Sequence, residues 1–521
     1  MIKIGLSQPS ESNFSHSRQV EVNRANARRR VCHIVATTEG GTWMFEQLRE
    51  LRDKHEYDVT AIVSGDRGRL IDKLRSENIP FHVVNFRPGF GSPWTLWQLP
   101  LAVLQLARLL RREGFDVVQT HVFATMMIGR PAAWLADVPV RLAMIAGPFQ
   151  LEAHTSRWID RATWWMDTTL IPSCEESVRL CREMGIPDER LSLIYYTPDH
   201  RRFDPARTVS INMRERFGWL ENTMVVGMIA YFYPRLSKSR WIPEYAHGRG
   251  VKGHEDLINA AAIVLKQFPE AKFLLVGSGW TAEGDKYQEE MRTMVRRLGL
   301  SDRVVFAGFQ ENVNGLLREL DVAVQASLSE NLGGTAEALL MECPLVVTRV
   351  GGMVDTVKDG VTGILVNPSD PGDLARAMIQ LLSDPQKARA LGIAGRRSML
   401  ERFTLDHTVS DLANLYERLL AKENKRRTIF YPLVFVWRLL LAAPVFAYVA
   451  FRLFVVDMFW PVYVPAYRAV AVGLMLRASY IPIRALVYVW KLISPNRSAV
   501  LSSAETDQAD GQLVQQSQRP E

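Results

Sequence analysis

Short apolar runs alternate with amphipathic stretches from Val31 onward, and a second series of this kind begins near Met224. This alternation is typical of a parallel sheet covered by helices. A chain of 521 residues is too long for one hydrophobic core. We therefore predict an α/β protein with two consecutive Rossmann-like domains that face a cleft. Ligands bind such sheets at the carboxyl ends of the strands, so the architecture predicts a site before any motif is considered.

The two series predict similar sets of elements, separated by the polar stretch 204–221. In the first series, strands are predicted at 31–36, 58–63, 81–84, 116–119, 140–145 and 191–195, and helices at 42–55 and 94–112. In the second series, strands are predicted at 224–230, 272–276, 303–306, 321–325, 344–348 and 363–366, and helices at 254–268 and 285–298.

Composition narrows the class of protein only slightly. The hydrophobic fraction of 47% and the charged fraction of 23% are those of a globular protein. The net charge of +7 fits phosphate-bearing substrates, anionic lipid or nucleic acid about equally well. The four cysteines have no CxxC spacing, which disfavours a zinc site or a disulfide framework and indicates a reducing compartment. The first thirty residues contain no apolar export segment, so we expect the main domains to lie in the cytoplasm.

Lys252 is a candidate for phosphate binding. It lies in the run 249–254, between Val251 and Gly253, directly before a predicted helix. A lysine at a helix entrance can offer one phosphate its ammonium group and nearby backbone amides. The alternative is a basic loop that only caps the helix, and the tripeptide alone favours that alternative.

Gly40 and Gly41 form a second glycine-containing turn between a predicted strand and a predicted helix. Glycines at this position let the backbone come close to a ligand at the helix N-terminus. The pair does not match the GxGxxG pattern of nicotinamide-binding domains, and a purely structural turn is equally compatible with it.

The segment 327–338 carries two acids around a glycine pair. Glu330 lies in the loop after a predicted strand, Gly333 and Gly334 lie at the predicted helix start, and Glu337 lies about one turn into that helix. Free amides at the glycines suit a diphosphate, and the Glu337 carboxylate suits ribose hydroxyls. Glu330 would reach the sugar or the reacting phosphate. Each acid alone is explained better structurally, Glu330 as a helix-capping acid and Glu337 as a solvated helix residue. Their combination in the second series favours a ligand site.

This segment, with Lys252-Gly253 upstream and Val350-Gly351-Gly352 downstream, resembles the family 4 retaining glycosyltransferases of the GT-B fold. The resemblance covers residues 31–422 and is most specific in the second half. Residues 306–309, which include Gly308, resemble the family's nucleotide-contacting loop. Residues 403–420 resemble the family's final helix, which crosses back to the first domain.

The resemblance implies a role for each matching residue. Lys252 would hold the donor's diphosphate, Glu330 the transferred sugar and Glu337 the ribose. The donor would be a nucleotide-diphosphate sugar, and transfer would retain the anomeric configuration without a bound metal or another cofactor. Charge on the departing diphosphate would be neutralised by Lys252, an arginine and backbone amides.

The chain departs from the family pattern at three places. Glu330 and Glu337 have six residues between them, whereas the family usually has seven. The family's arginine, five positions before the lysine, is replaced by His247, so that Arg235 or Arg249 would take its role. The histidine that relatives carry after the fifth strand of the first domain is missing. Two histidines remain as acceptor-side candidates, although a lone histidine is more often structural: His121 and His154.

The C-terminal part of the chain is apolar and basic. Its longest uncharged apolar run, 439–451, would span about 20 Å as a helix, whereas a bilayer core needs about 30 Å. Extending the run back to Phe430 includes Arg438, whose insertion costs roughly 3 kcal/mol. A basic residue then recurs every seventh position, at Arg477, Arg484 and Lys491. This pattern favours a helix lying in the membrane interface, or a re-entrant segment, over a spanning helix; the alternative is a partner-binding tail.

Taken together, the sequence predicts a glycosyltransferase at the cytoplasmic face of the plasma membrane. Its substrates would be a nucleotide sugar and a glycan or lipid-linked acceptor of the cell envelope, with no nucleic acid partner. The alternatives are a GT-B epimerase or phosphorylase, or an inactive scaffold of an envelope-polymer complex. The predicted segments are a leader (1–30), an acceptor-side domain (31–208), a nucleotide-sugar-binding domain (209–403), a cross-over helix (404–424), a membrane-associated segment (425–494) and a disordered tail (495–521).

Overall fold

Two six-stranded parallel sheets organise the chain. The structure, a computed structural model, describes residues 28–86, 98–422 and 431–451. The first sheet contains β1 Arg30–Val35, β2 Asp58–Val63, β3 Phe81–Val83, β4 Val117–His121, β5 Val140–Ile145 and β6 Thr169–Pro172. The second contains β7 Val225–Ile229, β8 Lys272–Val276, β9 Val304–Gly308, β10 Val322–Gln325, β11 Leu345–Thr348 and β12 Ile364–Val366.

Both sheets have the same strand order. The first runs β3-β2-β1-β4-β5-β6, and the second, read from β9, runs β9-β8-β7-β10-β11-β12. This is the doubly wound order in which the chain reverses its direction of travel between the first and fourth strands. A crevice opens there at the carboxyl ends of the strands, which places the loops after β7 and β10 side by side.

Helices connect the strands and cover the sheets. Those of the first domain are α1 Thr42–His55, α2 Arg69–Ser76, α3 Gln98–Glu113, α4 Phe123–Leu135, α5 Phe149–Glu152, α6 His154–Thr163 and α7 Glu175–Glu183. Those that follow are α8 Met213–Arg216, α9 His254–Val264, α10 Ala282–Arg297, α11 Val313–Glu319, α12 Thr335–Leu340, α13 Met353–Thr356, α14 Pro371–Ser383, α15 Pro385–Arg402, α16 Leu405–Lys422 and α17 Tyr431–Phe451. Aspartate caps and prolines at the first helical positions begin α14 and α15.

The predicted strand at 191–195 is wrong. Ser192 and Ile194 donate backbone hydrogen bonds to the carbonyls of Leu170 and Pro172, but the segment forms an isolated bridge instead of a strand. The sixth strand of the first sheet is Thr169–Pro172, which the sequence analysis missed. It has four residues and ends at a proline, whose missing N–H ends further pairing. The remaining predicted strands are confirmed, with small shifts at their ends.

Helix α16 packs against the first sheet, not the second. Leu405, Val409 and Leu412 are buried in one cluster with Val31 and Met44. Burying that many apolar side chains is the main stabilising contribution to such a contact. The last described helix of the two α/β domains therefore belongs structurally to the first domain.

A buried polar chain also joins α16 to the first sheet. The Tyr416 hydroxyl donates to Oε1 of Gln119 over 2.7 Å and lies 3.0 Å from Nε2 of His33. Nδ1 of His33 lies 3.1 Å from Nε2 of His121. These hydrogen bonds pair most of the buried polar atoms of this polar chain, and Nδ1 of His121 is the exception among them.

Several predicted segments lie outside the described residues. They are most of the leader (1–27), residues 94–97 of the predicted helix 94–112, residues 423–430 at the junction of the cross-over helix and the membrane-associated segment, residues 452–494 of that segment, and the tail 495–521. The described part of the C-terminal segment forms α17, with Pro444 inside it. Among the residues described, we find no helix with the length and apolarity needed to cross a bilayer.

Candidate active site

A glycine turn brings Lys252 beside the end of β10. Gly253 has a φ of +71°, and a Cβ atom there would overlap the carbonyl oxygen of Ala326. The Leu328 N–H donates to the Val251 carbonyl over 2.8 Å, which fixes the two loops together. Glycine at 253 is thus required both by the left-handed backbone and by the close approach. The turn places the Lys252 ammonium next to the loop that carries Glu330.

The Glu330 carboxylate contacts the Lys252 ammonium. Ser327 Oγ donates to the same carboxylate over 3.2 Å, and the Asn331 N–H donates to its other oxygen over 3.2 Å. The Gly352 N–H donates to the Glu330 carbonyl. The Lys252 and Glu330 side chains are 19% and 13% exposed, so water screens their attraction only weakly. Backbone and side chain of Glu330 are therefore both fixed.

Electrostatics keep the lysine charged. Burial is the largest influence and disfavours the ammonium, but the charge and hydrogen bond of Glu330 together with Tyr233 outweigh it and hold the pKa of Lys252 above its ordinary value. Nζ of Lys252 also lies 5.7 Å from the centre of the Tyr233 ring. The loop after β7 thus presents a permanent cation to the crevice.

A cavity of about 440 Å³ opens beside this ion pair. Its walls come from the loop after β5, the loop after β7 and the loop after β10. The lining residues are Ala146, Gly147, Pro148, Phe149, Tyr233, Pro234, Arg235, Leu236, Ser237, Ile242, Val251, Lys252, Ser329, Glu330 and Asn331. Both domains therefore contribute to one cavity, and the predicted pair Lys252 and Glu330 lies in its wall.

Glu337 lies at the start of α12, following Gly333 and Gly334. Gly334 caps this helix, and Gly333 has a φ of +54°. The pKa of Glu337 is raised to about 7, chiefly by burial. The positive charge of Arg202 opposes this rise, and the negative charge of Glu46 adds to it. Glu337 is not among the residues that line the cavity around Lys252. The two predicted acids thus occupy separate positions along the same loop-helix segment.

The structure distinguishes between the two arginine candidates. Arg235 lines the cavity, although its guanidinium also pairs with Glu290 at 2.9 Å. Arg249 pairs with Asp256 at 2.6 Å and contacts the Ser369 hydroxyl, and it does not line the cavity. Arg235 is therefore the better-placed residue. His247, at the family's usual arginine position, contacts backbone carbonyls instead.

His121 does not line the cavity: its ring lies in the buried chain with His33 and Gln119, so the geometry gives its predicted acceptor-side role no support. It is 1% exposed, and burial lowers its pKa to about 3, so it stays neutral. His154, the first residue of α6, lies 2.7 Å from the Arg240 guanidinium and does not line the cavity. Nothing in the sequence distinguishes a core histidine from a site histidine here.

Gly40, Gly41 and Gly308 do not line the cavity beside the ion pair. A Cβ atom on Gly40 would lie 3.8 Å from the Trp280 ring, so this first-domain turn faces the second domain. Beside it, Arg69 lies 4.5 Å from the centre of the Phe309 ring. Gly308 ends β9 and has open space where a Cβ would be. Phe309 belongs to the predicted nucleotide-contacting loop, and the sequence analysis missed the two aromatic residues after β7 and β8 that cluster with it, Tyr231 and Trp280.

Within the described ranges, we find no group of three or more His, Cys, Asp or Glu side chains placed to hold a metal ion. The polar groups described above at the site are an ammonium, carboxylates, hydroxyls and backbone amides.

Comparison with known proteins identifies the family. Residues 39–197 match the Glycosyl transferase 4-like domain, and residues 235–398 match the Glycosyl transferases group 1. The chain is 34% identical over 386 residues to N-acetyl-alpha-D-glucosaminyl L-malate synthase of Bacillus anthracis, covering 72% of this chain and 92% of that one. It is 24% identical over 381 residues to UDP-Gal:alpha-D-GlcNAc-diphosphoundecaprenol alpha-1,3-galactosyltransferase of Escherichia coli, covering 70% and 90%.

Among solved structures, the chain is similar to Anabaena Alr3699/HepE in complex with UDP-glucose. The TM-score is 0.62 at 21% identity, covering 75% of this chain and 99% of that one. This similarity establishes the fold. The protein is a glycosyltransferase with the GT-B fold. The chain belongs to glycosyltransferase family 4, whose two domain models cover its two α/β domains.

Gly351 provides a test of how the Glu330 loop is fixed. Gly351 has a φ of +49°, and a Cβ atom there would overlap the Glu330 carbonyl oxygen. Gly360 has a φ of +69° but nothing within 4 Å of a Cβ. We expect Gly360→Ala to cost only the left-handed backbone strain, about 1–2 kcal/mol. We expect Gly351→Ala to cost more and to speed amide hydrogen exchange in residues 326–334. Equal unfolding free energies and equal exchange in the two variants would contradict this account.

Proposed function

We propose that the protein transfers a sugar from a nucleoside-diphosphate sugar to an acceptor hydroxyl with retention of anomeric configuration. The observation that carries the proposal is the Lys252–Glu330 pair in the wall of an interdomain cavity. A fixed cation suits a diphosphate leaving group, and a neighbouring carboxylate suits sugar hydroxyls. The related HepE protein is described in complex with UDP-glucose, which supports a donor of this class.

The Lys252–Glu330 pair gives each of its charged groups a partner both in the free enzyme and when the donor is bound. Without donor, Glu330 compensates the buried ammonium, which would otherwise carry a large desolvation cost. A donor diphosphate can replace Glu330 as the partner of Lys252. Glu330 is then free to accept hydrogen bonds from the sugar.

The bond between the anomeric carbon and the diphosphate oxygen breaks, and the acceptor oxygen bonds to the same face of that carbon. The acceptor proton leaves with the nucleoside diphosphate, whose developing charge Lys252 stabilises, and this step needs no metal ion.

For the acceptor, we propose a glycan or lipid-linked sugar of the cell envelope. The names of the relatives include both an L-malate and a diphosphoundecaprenol acceptor, so family membership leaves several acceptor classes open. The apolar and aromatic character of residues 429–491 supports the lipid-linked class, since such a segment brings the enzyme to a membrane surface.

Removing the ammonium tests the donor site. We expect Lys252→Ala to weaken UDP binding about 10-fold to 150-fold, because a charge-assisted contact of about 1.5–3 kcal/mol is lost. Glu330→Ala should mainly lower turnover and leave UDP affinity unreduced, since UDP carries no sugar. Isothermal titration with a panel of nucleoside diphosphates measures the first effect, and transfer from labelled nucleotide sugars measures the second. Lys238→Ala, on an exposed residue, is the matched control. Unchanged diphosphate affinity in Lys252→Ala would exclude this site assignment.

The pH dependence of donor binding tests Glu337 as the proposed ribose ligand. Because the pKa of Glu337 is raised to about 7, its carboxyl is protonated below that pH and ionised above it. The carboxylate is the better acceptor for ribose hydroxyls, so UDP affinity should rise as the pH increases from about 6 to about 8. Glu337→Gln should remove this part of the pH dependence, whereas the ionisation of UDP itself remains in both proteins. Identical profiles for the two proteins would reject the assignment.

We also propose that the protein lies at the cytoplasmic surface of the plasma membrane. On α17, Val436, Trp437 and Leu440 are 53%, 61% and 62% exposed and lie on neighbouring turns. An aromatic and aliphatic face of this kind suits the interface of a bilayer. The basic residues Lys422, Lys425, Arg426 and Arg427, which precede α17 in the sequence, suit anionic headgroups.

Vesicle binding by the full chain tests this location. The chain should sediment with vesicles that contain phosphatidylglycerol, more weakly with phosphatidylcholine alone, and less at high salt, because the basic residues are screened. Truncation after Lys422 should abolish sedimentation without changing UDP affinity. If the full chain sediments with neither kind of vesicle, the membrane location is excluded and the segment after Lys422 is a protein-binding tail instead.

A further inference from the structure

Residues 237–248, here called the bridging loop, lie between Arg235 and Lys252 in the sequence. The loop extends outward from the second domain. The loop is closed at its base, where the Leu236 N–H donates to the Arg249 carbonyl over 2.9 Å and the Gly248 N–H donates to the Leu236 carbonyl over 2.7 Å. Nε2 of His247 lies 3.1 Å from the carbonyl oxygens of both Ser239 and Ile242. These contacts give the loop a defined shape of its own.

The bridging loop reaches the first domain at several points. The Trp241 and Phe123 rings lie 6.2 Å apart, edge to face. The Thr155 N–H donates to the Arg240 carbonyl over 3.0 Å, and the Arg240 guanidinium lies beside His154. These contacts involve the starts of α4 and α6. The loop therefore crosses the crevice instead of extending into solvent.

A carboxylate connects the bridging loop to the loop that carries Glu330. The Tyr245 hydroxyl donates to Oε2 of Glu152 over 2.5 Å, and Oγ of Ser329 donates to the same oxygen over 3.1 Å. Glu152 ends α5 in the first domain, and Ser329 directly precedes Glu330. One side chain of the first domain thus joins two separate loops of the second.

The bridging loop also forms part of the cavity wall. Ser237 and Ile242 line the cavity opposite Pro148 and Phe149 of the first domain. Asn331 lines it as well; its side chain is buried, and its Oδ1 atom has no hydrogen-bond partner among the described residues. The cavity wall beside Glu330 is therefore shared between the bridging loop and the first domain.

We propose that the bridging loop is the acceptor-selecting element of the enzyme and admits only the terminal group of an acceptor. An internal unit of a polymer needs chain to leave the cavity in two directions, and the loop closes one of them. The terminal group would place its apolar face against Phe149 and Ile242, which line the cavity from the first domain and from the bridging loop. This inference rests on the proposed transferase function and specifies the acceptor class at the same site.

Shortening the loop tests this inference. Because Leu236 and Gly248 are hydrogen-bonded to each other, residues 238–247 can be replaced by two glycines without stretching the base. A second variant, Ile242→Trp, narrows the cavity and keeps the loop. Glu244→Ala, on an exposed loop residue outside the cavity wall, is the matched control. Acceptors are p-nitrophenyl monosaccharides and linear oligosaccharides of the same sugars, with the modified unit mapped by linkage analysis.

We expect the wild-type chain and Glu244→Ala to modify terminal units. The shortened loop should lose about tenfold in its preference for terminal over internal units, and Ile242→Trp should lower kcat/KM for the bulkier terminal groups by about tenfold, a typical effect of added volume in a pocket. UDP affinity should be unchanged in all variants. An unchanged terminal preference in variants that still turn over would overturn the acceptor-selecting role alone. If the wild-type chain transfers no sugar from any nucleotide sugar, the proposed function falls and this inference with it.

Discussion

An ammonium group cannot be buried without a partner, and the structure around the crevice follows from this constraint. Lys252 approaches the second sheet only because Gly253 lets the turn lie against Ala326, and Glu330 is held in place by two backbone amides and a serine. The proposed reaction needs both the ammonium and the carboxylate, and in the free protein these two charges neutralise each other. A diphosphate that replaces Glu330 leaves the ammonium paired, and the released carboxylate keeps the Ser327 and Asn331 donors and gains the sugar hydroxyls.

Most of the fold could be predicted because the doubly wound sheet leaves a direct trace in the sequence. Its central strands are buried on both faces and therefore appear as continuous apolar runs bounded by polar loops. The exception is informative. Thr169–Pro172 is short and ends at a proline, whereas residues 191–195 are apolar and extended but pair with β6 by too few hydrogen bonds to form a strand. An apolar run indicates that a segment is buried. Whether it pairs as a strand depends on where it lies in the folded protein, which cannot be read from a single sequence.

The candidate site was predictable where chemistry is local in the sequence. Lys252 and Glu330 lie beside glycines that allow close backbone approach, and the structure brings them into contact. His121 could not be assigned this way, because its neighbours in space, His33 and Tyr416, are distant in the chain. The bridging loop was missed for the same reason. Its sequence has no periodic pattern, and its contacts with Phe123 and Glu152 exist only after both domains have folded.

The return of α16 to the first sheet has a mechanical consequence. Everything beyond Lys422 is covalently attached to the first domain, although it follows the second domain in sequence. An anchor in that segment would immobilise the half of the molecule that contributes Phe149 and Glu152. The half that contributes Lys252 and Glu330 would then be the moving part, so that product exchange would not require the proposed membrane contact to break.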